Sequence, residues 1–242
     1  MKKINLLIAF SITLVIMSCN NGNKATTAVE TTDSTTTTTV AEPIKTGPSL
    51  PMNMLVIYHG IKDYSLWRPG FDTDSAARQA SDLSFISLEK SADKPNDIKM
   101  SFAAPDMAKA KSFIIDPRLK DVMGKLGVIS KPIANFYSII RYNTENQKTG
   151  GARLEIVHKV KDFDIWLKGY DAEGIATRSE NGMNDLFLGR GVDDPNLVYV
   201  VFEVIDITKA KARMANPALK KIMVDAGVVG TPTITFYSDA SK

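Results

Sequence analysis

His59–Asp72 reads HGIKDYSLWRPGFD, and His158–Asp171 reads HKVKDFDIWLKGYD. At a spacing of 99 residues (59 to 158) the His, Lys, Asp, Trp, Gly and Asp of the first stretch recur in the second, and Tyr64/Phe163 and Phe71/Tyr170 are aromatic in both. Farther along, the spacing becomes 100 (95 to 195), so the second copy carries one extra residue between these stretches. Pro95-Asn96 answers Pro195-Asn196, Phe102 answers Phe202, and Lys109-Ala110-Lys111 answers Lys209-Ala210-Lys211. Pro117, Gly127-Val128, Pro132 and Phe136-Tyr137-Ser138 return as Pro217, Gly227-Val228, Pro232 and Phe236-Tyr237-Ser238. Ordered matches over this length, with a single slip, mark an internal repeat.

Each copy carries the same pattern of elements. Met54 to His59 is an apolar run of strand length. Asp63 and Asp162 can cap helices whose inward stripes are Tyr64, Trp67, Phe71 and Phe163, Trp166, Tyr170, at helical spacing. Two strands follow, about Leu83 to Leu88 and Ile98 to Ala103, then Asp185 to Leu188 and Leu197 to Val204, with the Pro-Asn pairs in the turns. Helical stretches over Asp106–Leu126 and Asp206–Ala226 should break at Pro117 and Pro217, which suit a first helical turn. Gly127 and Gly227 are natural C-caps, and a last strand follows Pro132 and Pro232. The order is βαββαβ twice, an α+β protein of two tandem ferredoxin-like modules. One module leaves a sheet face uncovered, and a second in the same chain can bury it. The expected architecture is an intrachain pseudo-dimer with its sheets face to face. Its modules are 51–140 and 152–242, joined by a linker at 141–151.

The segments VIYHGIKDYSLWRPGFD and EIVHKVKDFDIWLKGYD, each followed by βαβ with KAK, resemble the dimeric α/β-barrel superfamily that includes antibiotic-biosynthesis-monooxygenase-like domains. The resemblance covers roughly residues 52 to 140 and 152 to 240 and implies a barrel closed within the chain. Its members include cofactor-free oxygenases, haem-binding enzymes and isomerases, so it speaks to fold before activity. GVVGTPTITFY at Gly227–Tyr237 looks like a thioredoxin-type proline loop, but that chemistry needs a reactive cysteine pair, and this chain has one cysteine.

That cysteine is Cys19. Lys2 and Lys3 precede an apolar run of 14 residues, Ile4 to Met17, too short to span a bilayer comfortably and suited to a signal peptide. The run ends Leu14-Val15-Ile16-Met17-Ser18-Cys19, which resembles the bacterial lipobox. The resemblance implies a signal peptide at 1–18, acylation of Cys19, and anchorage to a bilayer in the cell envelope. The outer membrane is the expected membrane, with the body on its periplasmic or surface face. Asn20 to Pro48 contains ten threonines and few large apolar residues, so it reads as a disordered tether. The formal charge of +3 falls to +1 once Lys2 and Lys3 are removed, which gives no reason to expect nucleic acid.

His59 and His158 are the only histidines and hold equivalent positions at the end of the first strand of each copy. They are the candidate acid/base residues or haem ligands; the plainer reading is that they fix the turn into the first helix. Trp67 and Trp166, the only tryptophans, are candidate ligand platforms or core. Arg178 and Arg190 can grip an anion, or Arg190 is a solvated arginine in a glycine-rich turn. Asp72 and Asp171 are pocket candidates or exposed helical carboxylates. No metal-ligand cluster, phosphate loop or dinucleotide fingerprint is evident, and no cofactor follows from the sequence. The leading reading is a non-catalytic envelope lipoprotein that binds a small molecule or a protein partner. The alternative is a cofactor-free monooxygenase or isomerase, or a haem-handling protein, with its pocket near His158. A cavity with His158 and an arginine in its wall points to catalysis or haem; a barrel filled with Leu, Ile and Phe points to a binding or structural role.

Overall fold

The computed structural model describes residues 48–241. The signal peptide expected at 1–18, Cys19 and the expected tether, up to residue 47, lie outside the described residues. The first module runs β1 (Met52–Gly60), α1 (Tyr64–Thr73), α2 (Ser75–Ala80), β2 (Ser84–Ser91), β3 (Asp97–Ala103), α3 (Met107–Ile114), α4 (Pro117–Lys125) and β4 (Ile133–Tyr142). After a 3₁₀ turn at Thr144–Asn146 the second module repeats it: β5 (Ala152–Val160), α5 (Phe163–Glu173), α6 (Ile175–Glu180), β6 (Met183–Gly191), β7 (Leu197–Val204), α7 (Ile207–Ala215), α8 (Pro217–Asp225) and β8 (Val228–Asp239).

The local signals act as their chemistry predicts. The Asp63 carboxylate accepts from Ser65 N–H at 2.7 Å and Leu66 N–H at 3.2 Å, and Asp162 accepts from Ile165 N–H at 2.8 Å. These bonds satisfy amides that have no partner within the helix. Pro117 and Pro217 open α4 and α8, behind the side-chain caps Asp116 and Asn216. Gly127 and Gly227 follow those helices with φ of +75° and +88°, a conformation that residues carrying a Cβ resist. Two features depart from the sequence reading, while the extra residue of the second copy falls between the matched stretches as expected. The short helices α2 and α6 were not anticipated. The inserted residue lies in α5, which has 11 residues against 10 in α1. β8 begins at Val228, before Pro232; the proline sits where the β5·β8 register slips between Val157 and Lys159, and such an irregularity tolerates its missing N–H.

The eight strands form one closed antiparallel barrel in the order β1-β3-β2-β8-β5-β7-β6-β4. The two sheets therefore do more than face each other. β8 pairs with β2 through Glu89↔Asp239 to Ser91↔Tyr237, and β4 pairs with β6 through Tyr137↔Gly191 to Tyr142↔Phe187. Each module's last strand thus closes the other module's open edge, which removes the exposed hydrogen-bonding rows of both sheets. At the second seam Gly189 lies so close to β4 that a Cβ there would stand 2.5 Å from the Ser138 carbonyl oxygen.

Strand alternation divides the core into three layers. Leu55, Ile57, Met100 and Phe102 pack outward against Trp67 and Phe71 under the helices of the first module. Leu154, Ile156, Val200 and Phe202 do the same with Trp166 in the second. The opposite strand faces meet inside the barrel, where Met54, Val56, Ile139, Tyr137, Tyr199 and Val201 pack together. The lumen also holds charge. Lys99 lies 3.0 Å from Glu89 and 3.1 Å from Glu155, and Arg153 lies 2.6 Å from Glu203. All five are at most 3% exposed. Burial works against the Lys99 charge, but Glu155 and Glu89 outweigh it and hold its pKa above the ordinary value.

Candidate functional site

The outward strand face, not the lumen, carries the candidate residues. In β1 and β5, His59 and His158 stand on the side that also bears Leu55/Ile57 and Leu154/Ile156. The capped helices α1 and α5 lay Trp67 and Trp166 against them, edge to face at 5.7 Å and 5.3 Å. One helical turn on, Phe71 and Tyr170 stack on these indoles at 4.8 Å and 5.2 Å. The column ends in a residue that the sequence reading singled out in one copy only. Arg178, on α6, sits 4.0 Å above the Tyr170 ring, and Arg78, on α2, sits 4.0 Å above Phe71. Each module therefore carries one column: histidine, tryptophan, a six-membered ring, arginine. The Arg78–Arg178 equivalence was legible at the spacing of 100, but the slip that establishes that spacing falls inside a helix.

Beside the second column is a cavity of about 120 Å³. His158, Trp166, Tyr170 and Arg178 form one wall, and α7 and α8 close it with Arg213, Met214 and Met223. The first module's counterpart is about 50 Å³. Two substitutions account for the difference. Phe113 fills the place of Arg213, and Leu126 stands where the second module has Ala226. The Leu126 side chain presses so closely on α1 that a Cβ at Gly70 would meet it at 2.1 Å; at Gly169 the nearest atom is the Ala226 Cβ, at 3.8 Å.

The larger cavity has orphaned polar atoms in its wall. Both ring nitrogens of His158 and the Tyr170 hydroxyl are buried with no hydrogen-bond partner. Burial lowers the His158 pKa to about 4, so the imidazole is neutral at pH 7. Burial and the Asp185 charge push the Tyr170 phenol well up. The arginines are already engaged. Arg178 donates from Nε and Nη2 to the two Asp185 oxygens at 2.7 and 2.8 Å and from Nη1 to the Tyr170 carbonyl at 2.9 Å. Arg213 pairs with Glu173. The wall is thus close to electroneutral, and its free hydrogen-bonding capacity belongs to His158 and Tyr170.

The remaining candidates lie elsewhere. Arg190 is not in the cavity wall; it is half-exposed on β6, 5.0 Å above the Phe163 ring and 4.0 Å from Asp164. Asp72 pairs with Arg68 and Asp171 with Arg141, both at the surface. His59 lines the smaller cavity with Nδ1 unpartnered, its pKa lowered to about 4 by burial. Among the described residues, no three of the His, Cys, Asp and Glu side chains are grouped to hold a metal ion.

No protein-family model matches this sequence, and no curated protein sequence matches it. Solved structures do match. A provisionally assigned monooxygenase from Lactobacillus acidophilus NCFM aligns with a TM-score of 0.50 at 13% identity, over 78% of this chain and 94% of that one. A provisionally assigned monooxygenase from Fusobacterium nucleatum aligns at 0.51 and 11% identity, over 80% and 94%. An anthrone oxidase-like protein aligns at 0.51 and 12% identity, over 78% and 92%. Identities this low speak for fold: the chain is an α+β protein whose two ferredoxin-like modules close one dimeric α/β-barrel within a single polypeptide.

Proposed function

We propose that the second module is a monooxygenase-like catalytic site for a small, mainly apolar molecule carrying one hydroxyl or similar group. The observation that carries this reading is the cavity beside the His158–Trp166–Tyr170–Arg178 column, whose unpartnered polar atoms all belong to His158 and Tyr170. Buried polar atoms without partners cost about 1–3 kcal/mol each, and a ligand hydroxyl between them recovers that energy. An apolar cavity of roughly 150 Å³ accepts benzene, so about 120 Å³ suits a single ring or a short branched chain. Neutral His158 accepts the ligand's hydrogen bond, and the Tyr170 hydroxyl donates one. Full proton transfer to a buried imidazole is uphill until the substrate anion forms beside it and stabilises the imidazolium. The site therefore favours substrates whose anion delocalises over a ring, the kind that react with dioxygen unaided.

A haem group does not fit here. The macrocycle is larger than the cavity, and an axial histidine normally donates its second nitrogen to an orienting partner, which His158 Nδ1 lacks. In this reading acylated Cys19 holds the body to a bilayer at the cell envelope, supported by the basic start, the apolar run and the single cysteine.

The test is binding of phenol, catechol and hydroquinone to the full chain by ligand-observed NMR, with dioxygen uptake followed in parallel. Binding that weakens at least tenfold in His158→Ala, with the fold intact, supports the site; unchanged binding overturns it. Binding without dioxygen uptake on any ligand returns the protein to the non-catalytic reading.

A further inference from the structure

We propose that the first module holds a separate binding site for a small carboxylate, anchored by Arg78. Arg78 and Arg178 occupy the same place, over the same ring of the column, and are 8% and 3% exposed. In the second module the Arg178 guanidinium meets a carboxylate fork-to-fork, with Nε and Nη2 on the two Asp185 oxygens. Asp185 pairs across β6·β7 with Phe202, just before a register slip. Its counterpart in the first module pairs across β2·β3 with Phe102, just before the same slip. That counterpart is Phe85. The bidentate carboxylate is missing while the buried arginine is kept.

Nothing else in the first module takes over the fork. Among the described residues, the one carboxylate within 4 Å of Arg78 is Asp74, 3.5 Å from Nη1; Nε and Nη2 meet none. Burial depresses the Arg78 pKa, and Asp74 and Asp72 offset this only in part. Burial also opposes the Arg178 charge, but there Asp185, Tyr170 and Glu173 outweigh it. A buried guanidinium short of counter-charge is costly, and a planar carboxylate matches its two free donors. Phe85, 46% exposed, packs its ring edge-on at 6.2 Å from Phe71 and 6.1 Å from Phe102 and offers the guanidinium no acceptor. The adjoining cavity of about 50 Å³ is lined by Arg78, Asp74, His59 and Trp67. The proposed ligand sets its carboxylate on Nε and Nη2, as Asp185 does in the other module, and turns a short apolar tail toward Phe71 and Phe102, which line that cavity. This site is independent of the proposed catalytic cavity, so either can fail without the other.

The test uses the full chain carrying Trp166→Phe, which leaves Trp67 as the only tryptophan. Its fluorescence is followed while sodium acetate or propionate is added at constant ionic strength, with chloride as control. A saturable response to carboxylates and not to chloride is expected. Phe85→Asp supplies the missing internal carboxylate and should weaken that response at least tenfold. Phe85→Asn, which removes the same ring without adding charge, should retain it, and Arg78→Met should abolish it. No saturable response in the parent chain overturns the site, as does a response that survives Phe85→Asp or is lost equally in Phe85→Asn.

Discussion

His158 supplies a proton-linkage prediction that can be worked through. Its pKa is about 4 in the folded protein against an ordinary 6.5. The unfolded chain therefore binds the proton more readily, and folding stability must fall as pH drops through the window between 6.5 and 4. The full shift corresponds to about 3.4 kcal/mol, at 1.36 kcal/mol per pKa unit. Between pH 7 and pH 5 the part realised is about 2 kcal/mol, from the ratio of the two protonation factors at each pH. Burial raises the Glu203 carboxyl, so Glu203 works in the opposite sense, and His59 adds a loss like that of His158. Comparing the parent chain with His158→Phe cancels both. The assay is urea unfolding of the two chains at pH 7 and pH 5. The parent should lose about 2 kcal/mol more than the variant, a midpoint difference of about 1 M for a urea m-value near 2 kcal/mol/M. At pH 7 the variant should match or exceed the parent, because the orphaned ring nitrogens are gone. Equal losses in both chains would refute the reasoning: His158 would then titrate as a solvated histidine, and the cavity wall would be open to water.

The lumen charges, the barrel seam and the lipobox each give a further outcome. Lys99→Met leaves Glu89 and Glu155 facing each other in the lumen and should cost about 3–5 kcal/mol, read as a lower denaturation midpoint; adding Glu155→Gln should restore part of it. Gly189→Ala places a methyl against the Ser138 carbonyl at the β4·β6 seam and should lower Tm, at a cost of about 1–3 kcal/mol, whereas Gly124→Ala, in α4 with nothing within 4 Å of the added Cβ, should raise Tm by helix propensity alone, worth up to about 1 kcal/mol. Cys19→Ser should move the protein from the membrane fraction to the soluble fraction on cell fractionation, and continued membrane retention would refute the anchor.

Much of the fold was written in residues that act locally. The caps Asp63 and Asp162, the prolines that open α4 and α8, and the glycines that follow those helices depend on neighbours a few positions away, so a linear reading finds them. The lumen was not legible for a physical reason. Lys99, Arg153 and Glu155 alternate with apolar residues along β3 and β5, which is the pattern of a strand with one face in water. The expected face-to-face packing buries that face, and its charges stay inside because Lys99 meets Glu89 and Glu155 and Arg153 meets Glu203 across strands, partners that a linear reading does not supply. The site divides in the same way. His158, Trp166 and Arg178 stood out as types, but the cavity beside them depends on the sizes of Arg213 on α7 and Ala226 just past α8, far along the chain. Asp185, which occupies the Arg178 guanidinium, was read only as the start of a strand.

Joining both halves of the barrel in one polypeptide has a consequence for what its interior can contain. A barrel built from two identical chains must present every lumen residue twice, related by the two-fold axis. A lysine at the Lys99 position would then be matched by a second lysine across that axis. Here Tyr199 stands at the matching position, 4.2 Å from Tyr137 in a ring stack, and Gly189 stands where the first half has Glu89. The fused chain has escaped the requirement that its halves agree. It concentrates lysine, arginine and glutamate along one side of the lumen and rings and aliphatic groups along the other, a polarity that symmetry would forbid. The same freedom lets one column carry its own carboxylate while the other leaves its arginine available.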